Sequence, residues 1–414
     1  MPNAHRVRQP ECFDRFHCIG ADCEDSCCAG WGIPVDWETW EKYSKIPTQQ
    51  IANAALGSLV EINSAGTSAN DYARFRMEET GCPAFQQGWC SIQTTLGESY
   101  IPDLCSTYPR VLTVLGGVME KSLHLSCPEA ARLVLGNPDA MIFYERTEAE
   151  TPHRAGSVAR VDGDPDQRLH AVRAIIIETI RERSLPLWQR IVSLTFAIGK
   201  LAGVDTVRAV SVLEDHIRDL RNGLYQEALA SEKGDPVFQL ETILELVVAR
   251  LGSDYTDPRF VECYTDFMHG LAWTADSTME ELARRYSFSS QRFLLPFLQR
   301  HEHVLENYLI NYIFRTVFPY RRKLPDQKFA IDSGKESLSN AVLLLSVHYA
   351  TIRALLTGMA AVYKDNLSMD HAVKLVQSHS KAFLHSTSFD EMATAYFAKQ
   401  AGGPVNRIAA LVMD

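Results

Sequence analysis

Four cysteines crowd into one short run, Cys18, Cys23, Cys27 and Cys28, and Cys82, Cys90, Cys105 and Cys127 follow within the first third of this 414-residue chain. Cys12 lies in the same third, and only Cys263 falls beyond it. Three chemistries use such a set: disulfides, a bound metal or iron–sulfur cluster, or a buried group of free thiols. Disulfides need an oxidising compartment, and Met1 to Pro10 contain no apolar stretch of a secretory signal. Adjacent Cys27 and Cys28, with two more cysteines just upstream, would be an odd way to fill a core. Thiolates spaced C-x4-C-x3-C-C on a turn-rich loop can converge on one point, so metal ligation is the favoured use. One cluster needs four ligands, and spacing does not choose among the eight. His17 and His124 stand beside the cysteines and could act as mixed ligands, although loop histidines are more often simply exposed.

The elements that must position these thiols are short. Asp36 is a candidate N-cap for a helix carrying Trp37, Trp40 and Tyr43 on its core side. Arg110 to Cys127 alternates apolar and polar residues around Gly116-Gly117, which predicts a β-hairpin. Pro128 then opens a helix that Gly136 closes, and Cys127 falls at its positive end, where a thiol pKa is lowered.

Between Thr147 and Asp166 large apolar residues almost vanish, as in an exposed linker. The expected fold is mainly α: a cysteine-rich metal-binding module with a short β-hairpin over residues 1–150, a linker over 151–166, and an α-helical domain over 167–414 with ordinary up-and-down packing. Its helices include one over 291–318 and a very apolar one over 341–363. Ser346, His348 and Arg353 inside the latter favour a protein interior over a membrane span. With neither signal nor span, the expected compartment is the cytoplasm, where thiols stay reduced. A net charge of −10 argues against nucleic acid or an acidic membrane as partner.

On the helix over 291–318, Asn307, Asn311 and Arg315 recur every four residues and share a face, with Tyr308 and Tyr312 on the next stripe. Asn307, Asn311 and Tyr312 are the candidates for a donor or substrate pocket, although a polar seam between helices is the more ordinary use of such a face. His348 and Arg353 call for structural pairing first and catalysis second. Arg110 could neutralise thiolate charge or be an ordinary surface arginine.

Cys18-Ile19-Gly20, Cys23-Glu24-Asp25, Cys27-Cys28 and Gly30-Trp31, with Cys82-Pro83, Trp89-Cys90, Cys105 to Arg110 and Leu125 to Ala131, resemble the flagellin lysine-N-methylase family. The first part also looks like small zinc- or iron-chelating domains. The resemblance continues through Glu306 to Tyr312, Phe318-Pro319, Tyr349 to Arg353, Gly358 and Val373 to Ser380, so it covers nearly the whole chain. It implies methyl transfer from S-adenosylmethionine to lysine side chains of flagellin, with a 4Fe-4S cluster in the cysteine region. Two features depart from better-known methyltransferases. No G-x-G follows a strand, so the donor site is unreadable, and the spacing is not the C-x3-C-x2-C of radical enzymes. A zinc-stabilised flagellin-binding adaptor and an iron–sulfur redox protein are the alternatives.

Overall fold

A single helix, Lys335–Tyr363, is the axis of the helical region. Its side chains are buried almost continuously from Val342 to Ala360, because other helices surround it. Pro258–Gly270, Gly403–Val412, Leu187–Gly199, Pro236–Leu251 and Met369–Phe383 all pack against it. The helical region is thus built round one buried helix. The computed structural model describes residues 4–413 except 30, 52–53, 66, 79–80, 150–157, 163–167, 232–233, 253–256, 324–328 and 401–402.

Among the described residues this axial helix is long and apolar enough to cross a membrane, yet 94% of its most apolar stretch is buried within the protein. Arg353 is held there by Tyr286 Oη at 3.4 Å, Ser290 Oγ at 3.2 Å and the Met413 carbonyl at 3.3 Å, a structural role. The tightest crossing is with Pro258–Gly270, where a Cβ on Gly270 would stand 1.9 Å from the Gly358 carbonyl oxygen and one on Gly358 2.6 Å from the Phe267 ring. Gly358→Val is therefore expected to lower stability by about 1–3 kcal/mol through overpacking, read from the urea midpoint. An unchanged midpoint would show that the helices do not meet backbone to backbone.

Seven strands form one sheet in the order Phe143–Ala149, Ala4–Pro10, Val118–Leu123, Arg110–Leu115, Val158–Asp162, Phe329–Ile331, Arg321–Lys323. The predicted hairpin is at its centre, pairing Val118 with Leu115 through Leu123 with Arg110. Its turn needs positive φ at both central positions, which Gly116 at 55° and Gly117 at 77° supply. Val158–Asp162 falls in the expected linker but pairs parallel with Arg110–Leu115, Ala159 opposite Thr113. The linker's residues 151–157 and 163–166 lie outside the described residues.

Packing also divides the chain differently from composition. One apolar core runs from Cys12 to Met413 and joins the sheet to the helices, because the hairpin and the Pro128–Leu135 helix bury their apolar faces against helices from beyond residue 167. A second, smaller core between Ile33 and Ile101 holds Val35, Tyr43, Phe75 and Ile92. Asp36 caps its helix as expected, accepting from the Thr39 N–H at 2.9 Å. The expected helix over 291–318 is broken: a π-turn at Ser290–Leu294 leads to Leu295–Arg300, and His303–Arg315 follows. Pro296 lacks the N–H that a regular ladder requires, and His301, at φ −133° and ψ 41°, ends the segment.

Candidate functional site

All ten cysteines are free thiols. The loop carrying Cys27 and Cys28 is tied to the segment carrying Cys82 by a bond from the Cys82 N–H to the Cys28 carbonyl at 2.7 Å. Gly81 permits that approach: its φ is +119°, and a Cβ there would stand 2.7 Å from the same carbonyl oxygen. Phe85–Gln86 then pairs with Trp89–Cys90 in a small hairpin, which delivers Cys90 to the start of the Ser91–Leu96 helix. Cys105 sits in the short Asp103–Thr107 helix, and Cys127 is the N-cap of Pro128–Leu135, as its sequence context predicts.

Five of these thiols lie within one another's electrostatic field. The neighbouring Cys27 and Cys28 thiols act on each other, which raises Cys28 and lowers Cys27 to about 7; Cys105 and Cys82 raise Cys28 further. Burial, opposed by the N–H groups of Ala84 and Phe85, pushes Cys82 up to about 11. Burial also raises Cys105, and Cys82, Cys90 and Cys27 add to it. Cys127 is pushed up to about 12 by burial, with Cys23 and Cys27 adding to the shift. Cys82, Cys90 and Cys127 share a local device. Each sulfur has the N–H groups two and three residues on directed towards it, favouring a thiolate, though Cys90 and Cys127 close no formal cap bond. Cys27 and Cys105 keep accessible surface although protein surrounds them on most sides, so the set lines a recess.

Among the described residues no three His, Cys, Asp or Glu side chains form a group that could hold a metal ion. Iron–sulfur groups are held by cysteine thiolates, so it is the donor chemistry of this set that suits one. Burial keeps these sulfurs, Cys27 apart, protonated, and a bound cationic centre would reverse that.

Beside Cys27 and Cys127 lies a polar and aromatic set of which sequence reasoning offered only His124, as a mixed ligand. Ser126 Oγ is 2.7 Å from His124 Nδ1, 3.1 Å from His385 Nε2 and 2.8 Å from Tyr108 Oη. The His124 and His385 rings stack at 4.2 Å, and Trp31 lies against His385 at 6.0 Å and Tyr108 at 5.9 Å. Trp31 Nε1 donates to the Cys27 carbonyl at 2.8 Å, which joins this set to the thiols. Surrounding protein, Arg315 and Lys381 push His385 down to about 4 although its ring keeps accessible surface, so it too lines a recess.

The Met369–Phe383 helix holds the cysteine loop in place. Lys381 Nζ donates to both Asp25 oxygens at 2.7 and 2.8 Å and pairs with Asp257 at 3.3 Å, while Gln377 Nε2 donates to Asp25 at 2.7 Å and to the Ser126 carbonyl at 3.0 Å.

The remaining candidates fall elsewhere. Asn307 Nδ2 donates to the carbonyls of Val134 and Asn137, both at 2.9 Å, and Asn311 Nδ2 to that of Leu123 at 3.1 Å. Both side chains are buried seams that hold the hairpin and the Pro128–Leu135 helix against the helical region. Tyr312 is half-buried, its ring 5.7 Å from His348. Arg110 covers the Phe16 ring and donates to the Phe16 carbonyl at 3.3 Å. Cys18 and His17 are exposed, and no described contact brings either into the recess; Cys12 and Cys263 are buried in the main core.

Fully buried histidines make stability pH-dependent. Burial, with Arg315, pushes His348 down to about 3, and burial pushes His216 down to about 4. A free histidine titrates near 6.5, so the unfolded chain takes up protons first and stability, complete above that pH, falls as pH drops towards the folded values. Each histidine is expected to remove about 1.4 kcal/mol per pH unit below about 6.5. Urea midpoints that stay flat from about pH 7 to 5 would contradict the burial of these rings.

Residues 173–413 match the family described as the FliB lysine N-methylase C-terminal domain. Over 144 residues the chain is 30% identical to a protein named Lysine-N-methylase from Salmonella typhimurium, an alignment covering 34% of this chain and 35% of that relative. Over 143 residues it is 29% identical to a protein named Flagellar biosynthetic protein FliU from Salmonella muenchen, covering 34% of this chain and 83% of the relative. The chain therefore spans about a third of the Lysine-N-methylase it matches. No solved structure matches it.

Proposed function

Because the chain belongs to the FliB lysine N-methylase family, we propose that it methylates lysine side chains of flagellin with S-adenosylmethionine as donor, in the reducing conditions of the cytoplasm. The observation that carries the reading is the recess where the thiols meet Trp31, Tyr108, Ser126 and His385. Cys27, Cys28, Cys82, Cys90 and Cys105, with Cys23 and Cys127 alongside, would hold a 4Fe-4S cluster. Such a cluster, when bound, supplies an electron-transferring or Lewis-acidic iron centre.

The chain's own residues have two tasks. A lysine ammonium, with a pKa of about 10.4, has no lone pair to offer and must lose a proton. His385 stays neutral at working pH and can accept it, and Ser126 Oγ links that ring to His124 and Tyr108. The faces of Trp31 and Tyr108 favour a cation, whether the substrate's ammonium or the donor's sulfonium. The lysine nitrogen then forms a bond to the methyl carbon, and the carbon–sulfur electron pair leaves with sulfur.

Mass spectrometry of flagellin incubated with anaerobically purified protein and donor is expected to show lysines gaining methyl mass. Cluster-replete protein that leaves flagellin unmodified would overturn the reading, and a colourless protein holding only zinc would remove the cluster from it.

A further inference from the structure

Four polar side chains deep in the helical region each hold at least one buried atom without a hydrogen bond. Arg315, Tyr308, His348 and His379 are each more than nine-tenths buried. Arg315 Nε, the Tyr308 hydroxyl, His348 Nδ1 and both ring nitrogens of His379 make no hydrogen bond among the described residues. They form one group: the His348 and His379 rings are 5.3 Å apart, Tyr308 is 6.4 Å from His379, and the Arg315 charge acts on both His348 and Tyr308. Folded proteins leave few buried polar groups unpaired, and so many together mark a place that a ligand completes.

Arg315 decides what kind of ligand. Among the described residues Arg315 Nε makes no hydrogen bond, and the acidic charge that acts on this costly buried cation is that of Asp390. Its planar fork suits a carboxylate. Asp390, 3.9 Å from His348 Nε2, puts an acidic group at hand for an ammonium. The charge of Arg315 also reaches His385, whose ring stacks on Trp31 at 6.0 Å.

We propose that this pocket takes the amino-acid end of the methyl donor, with Arg315 gripping its carboxylate and Tyr308, His348 and His379 bonding around it, so that the sulfonium points towards Trp31 and Tyr108. The inference rests on S-adenosylmethionine being the donor.

Equilibrium dialysis of the full chain, purified without oxygen, against S-adenosylmethionine and its decarboxylated analogue tests it. Wild-type protein is expected to hold the complete donor about tenfold or more tighter than the analogue, and Arg315→Gln to hold both at the analogue's level. Tyr308→Phe, which removes an unpaired hydroxyl, is expected to melt higher without ligand yet bind the donor several-fold more weakly, and it decides the matter if Arg315→Gln fails to fold. A preference that survives in Arg315→Gln, unchanged donor affinity in Tyr308→Phe, or no preference in wild-type protein overturns the pocket and leaves the donor reading standing. Binding of neither compound by wild-type protein overturns the donor reading and the pocket with it.

Discussion

Cys105→Ser is expected to lose the visible absorption of an iron–sulfur protein, most of its iron and sulfide, and at least about a hundredfold in methylation rate. Cys105 is the thiol on which the fields of Cys82, Cys90 and Cys27 act together, and it keeps surface facing the recess. A serine hydroxyl is nearly the same size but remains protonated at neutral pH and binds iron poorly, so the substitution removes the proposed thiolate donor and leaves the packing. Cys263→Ser is the control, because Cys263 lies in the main core beside Ser378 with no other cysteine described near it. Anaerobic spectra with iron and sulfide analysis separate the two variants. Full iron content in Cys105→Ser would remove that residue from the ligand set, and loss of iron in Cys263→Ser would place the centre elsewhere.

Arg173→Met is expected to destabilise the fold by about 3–5 kcal/mol, the second large effect. Arg173 Nη1 donates to both Glu120 oxygens at 2.7 Å, and each side chain is only 2% exposed. Burial pushes the Glu120 carboxyl up, but Arg173 and His170 outweigh it and hold the carboxyl below its ordinary range. Removing the arginine strands a charge in the seam between the sheet and the Arg168–Ile180 helix. Adding Glu120→Leu to Arg173→Met is expected to recover most of the loss, since a buried apolar pair of similar volume does nearly as well as the ion pair. Because the folded Glu120 pKa is depressed, its stabilising contribution is complete above the free carboxyl value and is lost as pH falls through the folded one. Urea titrations of the two single variants and the double variant measure this. A double variant no more stable than Arg173→Met would show that the pair is not what holds the seam.

Several local features were readable from residues alone, because each depends on a few neighbouring positions. Asp36 caps because its carboxylate reaches an N–H three residues on. The Gly116-Gly117 turn forms because those two positions tolerate positive φ. Pro128 and Gly136 bracket a helix through the donor one lacks and the termination the other permits. The crowding of cysteines was likewise visible, since the spacing of Cys18 to Cys28 is a property of one loop, although Cys18 itself stays exposed.

Other features needed the fold. Asn307 and Asn311 have the spacing of a pocket face, yet their amides satisfy carbonyls at the ends of the hairpin and the Pro128–Leu135 helix, partners that no pattern on their own helix could announce. Ser126 meets His385 across 259 residues of chain, and the Met369–Phe383 helix reaches the cysteine loop through Lys381 and Asp25 across 356. Periodicity and capping act over one or two turns of backbone, so the residue types alone established a thiol-rich module and a helical body. Which histidine stacks on His124, which loop Lys381 holds and which buried polar atoms are left without a hydrogen bond were decided only when packing brought distant segments together.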